Sequence, residues 1–253
     1  MRRLFAILLL VVTLFSGCKS TESEPWDESN LLTSISIHRT GMSDTEIGLF
    51  KSQKGVTIVA GTSSVEYELI ANDQPIIYDG FEFSLDEIKR TEESAYILFS
   101  YAVIGLGRGS GRDFHFDLLC FDGDKIVSAQ DKQKDEIYTL YNDGKFSVIL
   151  PNNDNIWDTV NIEDTVAYRR ENEKERFKPF TVDEIYSADV SIICTTLTID
   201  GDHIVTEFLF VNKMYMFHIA SALIEWSVED DILVPIRLEL SAIDNHETDT
   251  SVQ

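Results

Sequence analysis

Apolar and polar positions alternate with a period of two along most of this chain, the signature of half-buried β-strands. The runs "SISIHR", "GVTIVAG", "VEYELIA", "PIIYDGFEF", "AYILFSYAVI", "DFHFDLLCF", "KIVSA", "IYTLY", "KFSVIL", "TVAYR", "DVSIICTTLTI", "HIVTEFLFV", "MYMFHIA" and "ILVPIRLEL" all predict strands. Turn chemistry separates several of them. "FDGDK", "NDGK" and "IDGDH" place Asp-Gly between apolar runs, as tight hairpins require. Helical signals are few. "FSLDEI" (83–88) and "FTVDEI" (180–185) each carry a capping box, Ser84 with Glu87 and Thr181 with Glu184, and each predicts a short helical turn. "ALIEWSV" reads either way. The predicted class is mainly β, with antiparallel sheets in a sandwich-like arrangement.

The two capped hexamers open longer parallels. Residues 83–130 and 180–221 both read as capped turn, long strand, hairpin loop, strand, turn, strand, which predicts an internal repeat. A rival pattern crosses it. Asp86, Asp135, Asp183 and Asp230 head "DEI", "DEI", "DEI" and "DDI" at spacings of 49, 48 and 47 residues. Propeller blades run about 40–50 residues, so a small β-propeller is the alternative architecture. The interval after Asp135 weakens it. "PNNDNIWDTVNIEDT" and the charged "RRENEKERFK" stand there where the other intervals carry strands.

The N-terminus breaks the strand pattern. Arg2 and Arg3 precede an apolar run, Leu4 to Phe15, too short for a spanning helix of roughly 20 residues. It has the form of a secretory signal. The run ends in "LFSGC", which resembles the lipobox of bacterial lipoproteins, with Phe15 where leucine is usual. That resemblance covers the first twenty residues only. It implies a signal peptide over 1–17 and a thioether-linked diacylglycerol on Cys18, with fatty acylation such as palmitate. The expected location is the cell envelope, outside the cytoplasm and lipid-anchored to a membrane. Lys19 follows the cysteine, so nothing argues for inner-membrane retention, and an outer-membrane or surface location is expected. Residues 18–30 have the polar composition of a flexible tether, 31–241 form the β-rich region, and 242–253 read as a disordered tail.

Charge narrows the partners. The chain holds 44 acidic and 21 basic residues, a formal charge of −23. Such a surface repels phosphate backbones, so no nucleic-acid partner is expected. The membrane is met through the lipid, and the remaining partner is an envelope protein or an external ligand. Cys120 and Cys194 are a candidate disulfide, since thiols outside the cytoplasm can pair.

Catalytic spacings are scarce, and no motif calls for a cofactor. The loop "GLGRGSGRD" looks like a phosphate cradle, but neither glycine register gives G-x-G-x-x-G, and a strand pattern follows where a helix would be needed. It reads as an elongated hairpin tip, with Arg108 and Arg112 as a candidate contact loop. In "DFHFD", Asp113, His115 and Asp117 fall on one strand face and Phe114 and Phe116 on the other. Two carboxylates and an imidazole on one face are candidate metal ligands, and a metal-dependent envelope enzyme is the alternative to a binding protein. The competing reading of the same stripe is a solvent-facing polar face opposite a core-facing aromatic one. Cys18→Ala is expected to move the protein from the membrane to the soluble fraction. Continued membrane association of that variant would contradict the lipid anchor.

Overall fold

The computed structural model describes residues 27–38, 44–69, 78–104, 112–123, 125–129, 137–150, 156–187, 190–213 and 217–243. These residues are mainly β, with fifteen strands in four antiparallel sheets. The first sheet has the order β1 (Leu31–Ile37), β2 (Thr45–Lys51), β3 (Gly55–Ala60), β4 (Ser63–Glu68). The second follows as β5 (Phe81–Arg90), β6 (Ala95–Ile104), β7 (Arg112–Phe121), β8 (Ile126–Ser128). A three-stranded sheet holds β9 (Tyr138–Asn142), β10 (Lys145–Ile149) and β11 (Trp157–Asn161). Two helices, α1 (Glu163–Asn172) and α2 (Val182–Tyr186), precede the last sheet. It runs β12 (Val190–Asp200), β13 (His203–Asn212), β14 (His218–Glu229), β15 (Ile232–Ala242). Each sheet is a meander of consecutive strands, because short turns allow only antiparallel neighbours.

The second sheet is the middle layer. β6 reads "AYILFSYAVI", and both of its faces are covered. Ala95, Ile97 and Phe99 pack with Leu119 and Phe121 against Ile47, Leu49, Val56 and Ile58 of the first sheet. Leu98, Leu118 and Ile88 turn to the other side and join a second core with Phe208, Phe210, Ile224 and Trp226 of the last sheet. β1 lies against β5 and β4 against β8, so the first two sheets form an aligned sandwich. The last sheet closes the opposite face. Lys89 Nζ donates to the Val228 carbonyl at 3.0 Å, and the Tyr96 hydroxyl donates to Asp231 at 2.7 Å. The described sheets close into neither a barrel nor a propeller.

The predicted hairpins form. Asp143 and Gly144 both take positive φ, 45° and 76°, between β9 and β10, the geometry of a type I′ turn. The capping box of "FTVDEI" is complete, with Thr181 Oγ1 accepting from the Glu184 amide and Glu184 accepting from the Thr181 amide. The matching box of "FSLDEI" does not form. Residues 83–88 lie inside β5, where Phe83 and Leu85 face the first sheet and every residue but Ile88 pairs with β6. Pairing with a long apolar neighbour overrides the local cap. The Asp-headed triplets likewise differ: Asp86 is in a strand, Asp183 in a helix and Asp230 in the β14–β15 turn, while Asp135 lies outside the described residues. That spacing therefore marks no blade.

"TVAYR" is also corrected, from strand to helix α1. Glu163 and Asp164 open that helix and Arg169 and Arg170 close it, complementing the helix dipole at both ends. Arg169 is buried, paired with Glu173 at 2.6 Å and laid over the Phe217 ring. Arg170 and the Tyr141 hydroxyl hold Asp183, whose carboxyl is kept below its usual range chiefly by that guanidinium. β11 occupies part of the interval read as strand-free.

Phe99→Ala is expected to lower the unfolding free energy by about 3–5 kcal/mol. Leu140→Ala, on an exposed strand face, is expected to change it by less than about 0.5 kcal/mol. Urea denaturation of the two variants checks the contrast.

Candidate functional site

β8 is only three residues long and pairs with the far end of β7, at Leu119–Phe121. The Ala129 amide adds one more bond, to the Leu118 carbonyl at 2.8 Å. Backbone groups of a strand alternate between its two edges, so Phe114 and Phe116 direct their amides and carbonyls to that same edge. Among the described residues no backbone hydrogen bond meets them there. Among the described residues the first half of β7 is thus unpaired along this edge, flanked by β4 on one side and by β12–β14 on the other.

A cleft of about 580 Å³ follows this edge, within the range of ordinary ligand sites. Its two walls differ because β7 alternates. One wall carries Tyr67, Phe99, Tyr101, Asp113, His115 and Asp117, with Glu66 and Glu68 at the rim. The other carries Phe114, Phe116, Ile192, Cys194, Phe208 and Trp226, and Ile137 completes the lining. Phe116 meets Trp226 edge-on at 6.0 Å, and Trp226 Nε1 donates to Thr206 at 2.8 Å, which fixes the indole.

The stripe predicted from "DFHFD" is therefore real as a face, and its three polar residues have separate roles. Asp117 is buried and accepts from the Tyr67 hydroxyl and from Ser128 Oγ. Burial, reinforced by the Asp117 charge, pushes the Tyr67 phenol far above its usual range. His115 stacks on Tyr101 with centroids 4.7 Å apart and planes 13° from parallel. Its Nε2 lies 3.6 Å from Asp113 Oδ2. Asp113 Oδ1 accepts from the Cys194 amide at 3.3 Å, tying β7 to β12. Among the described residues no group of three or more His, Cys, Asp and Glu side chains gathers as metal ligands. Asp117 is turned onto its hydroxyl donors, which leaves Asp113 and His115 as a pair.

Cys194 is held by Asp113, seven residues along β7 from Cys120, which is roughly 23 Å of strand. The two do not form the candidate disulfide. Burial first, then the Asp113 charge, raises the Cys194 thiol to about 12. Arg112 begins β7 and pairs with Glu82 at 3.0 Å, while Arg108 and Cys18 lie outside the described residues. β6 and β7 pair up to Ile104 and Arg112, so a strand follows the glycine-rich stretch, as a hairpin requires and a dinucleotide site forbids.

Sequence reasoning missed the β4 wall and the contribution of β12–β14. The alternation of "VEYEL" places Tyr67 inward and the two glutamates outward, but nothing local shows that β8 ends early and exposes them to a cleft. A second exposed feature was also hidden. Tyr138, Leu140 and Trp157 stand 52%, 57% and 62% exposed on the outer face of the three-stranded sheet. Comparison with known proteins finds no matching family, no matching curated protein and no matching solved structure.

Tyr67, with Cys194, is expected to set an alkaline limit on stability. Both groups are raised in the folded state, so their contribution is complete below the unfolded values, near 10 and 9, and is lost as pH rises above them. Tyr67→Phe is expected to cost about 1–3 kcal/mol at neutral pH, because buried Asp117 loses a donor. Above pH 10 the same variant should lose stability less steeply than the wild type, by about 1.4 kcal/mol per pH unit. Denaturation across pH 7–11 checks both, and parallel curves would contradict the assignment.

Proposed function

We propose that this protein is a lipid-anchored, extracytoplasmic binding protein that holds an envelope component or external ligand in the β7 cleft. The observation that carries the reading is the cleft's pair of unlike walls, one aromatic and one carrying carboxylates, on either side of an edge of β7 that no described strand pairs. Binding sites join apolar surface to a few placed polar groups in this way. The resemblance of "LFSGC", ending at Cys18, to a lipobox and the polar stretch after it support an anchored body on a tether. The strong acidity supports a partner other than nucleic acid.

A metal-dependent enzyme built on Asp113, His115 and Asp117 receives less support, since Asp117 is already engaged by Tyr67 and Ser128. His115 stacked on Tyr101 and beside Asp113 instead makes a polar floor for a ligand.

The test is capture from envelope extracts on the immobilised full chain. A component retained by the wild type is expected to bind about tenfold less tightly to a His115→Ala, Glu66→Ala double variant, a loss of about 1.4 kcal/mol. Substitution of Glu229, outside the cleft lining, should leave retention unchanged. Equal retention by the wild type and the double variant would remove the cleft from the function.

A further inference from the structure

We infer that the occupant of the cleft is an extended polypeptide strand that pairs with β7 and alternates basic with apolar side chains. The inference rests on the cleft being the binding site and names what it takes. Phe114 and Phe116 present amide and carbonyl groups to the cleft beyond the end of β8, where no described backbone meets them. A sheet edge left this way is a template for an added strand, which supplies the missing donors and acceptors. Small ligands of other classes do not offer donors and acceptors at the strand repeat.

The two walls add a side-chain pattern. A strand laid beside β7 sends successive side chains to opposite faces of the sheet. One set would meet Glu66, Glu68 and Asp113. The other would meet Phe114, Phe116, Ile192 and Trp226. Among the described lining residues His115 is the sole basic type, and Lys54 reaches the rim through Glu68, at 3.6 Å with both side chains largely exposed. Charge complementarity therefore selects lysine or arginine for the first set, and burial selects aliphatic or aromatic side chains for the second.

Synthetic peptides titrated calorimetrically into the detergent-solubilised full chain test this directly. The probe is a peptide of about seven residues alternating lysine and valine, matched to the open length of β7. It is expected to bind about tenfold more tightly than a peptide of the same composition with lysines and valines in separate blocks, and than one alternating glutamate and valine. Methylating the backbone nitrogens on one edge of the probe should abolish binding, and methylating those on the other should not. Glu66→Lys with Glu68→Lys, both exposed, should weaken the probe without unfolding the protein. Equal binding of block and alternating peptides, or indifference to methylation on both edges, overturns strand addition. If no probe binds while cleft-dependent capture of an envelope component persists, the strand inference falls and the binding role stands. If capture also ignores the cleft, both fall.

Discussion

The structure depends on one constraint: β6, inside the β5–β8 sheet, is apolar on both faces and must be covered twice. Of its ten residues only Ser100 is a small polar side chain, and it too is buried. A strand of this kind cannot face water on either side. The first sheet covers one face and the last sheet covers the other, so two separate cores are held by a single shared layer. The helices and the three-stranded sheet complete the second core, with Phe146, Phe177 and Tyr186 among its fully buried side chains.

The cleft follows from the same arrangement. β7 continues past the point where β8 ends, and the flanking sheets continue with it. Its inward-facing positions there change from Leu119 and Phe121 to Asp117, His115 and Asp113. Asp117 is the deepest of these and is tolerated because Tyr67 and Ser128 both donate to it. The buried phenol and carboxylate thus close the end of the sandwich core, and beyond them His115 and Asp113 line the cleft, His115 stacked on Tyr101 and Asp113 bonded to the Cys194 amide. Tyr101 is raised by its burial and then by Asp113, consistent with a neutral hydroxyl beside an acidic floor.

Much of this was legible in the chain. Period-two alternation identifies nearly every long strand, and Asp143-Gly144 identifies its hairpin by chemistry alone. The opposed faces of "DFHFD" were readable as faces, but their surroundings were not. Asp117 and His115 have the same local pattern, yet one is buried and the other exposed, because Tyr67, fifty residues away, covers only the first. "FSLDEI" and "FTVDEI" carry the same capping signal and take opposite structures. The first has β6 beside it as a partner, while the second precedes β12 across a short connection. Composition likewise could not separate buried aromatics from exposed ones. Phe146 and Trp157 sit on neighbouring strands of one small sheet and differ only in which face they occupy.

The proposed binding role uses an edge of β7 that no described strand pairs, within otherwise double-covered architecture. Amide hydrogen exchange of the unliganded full chain tests that claim most directly, since protection reports whether each amide is paired and shielded. The account predicts that Leu98 and Phe99 in β6 exchange among the slowest amides, and that Phe114 and Phe116 exchange far faster. Protection at Phe114 and Phe116 equal to that of Leu98 and Phe99 would show that the β7 edge is already occupied, and would contradict the account.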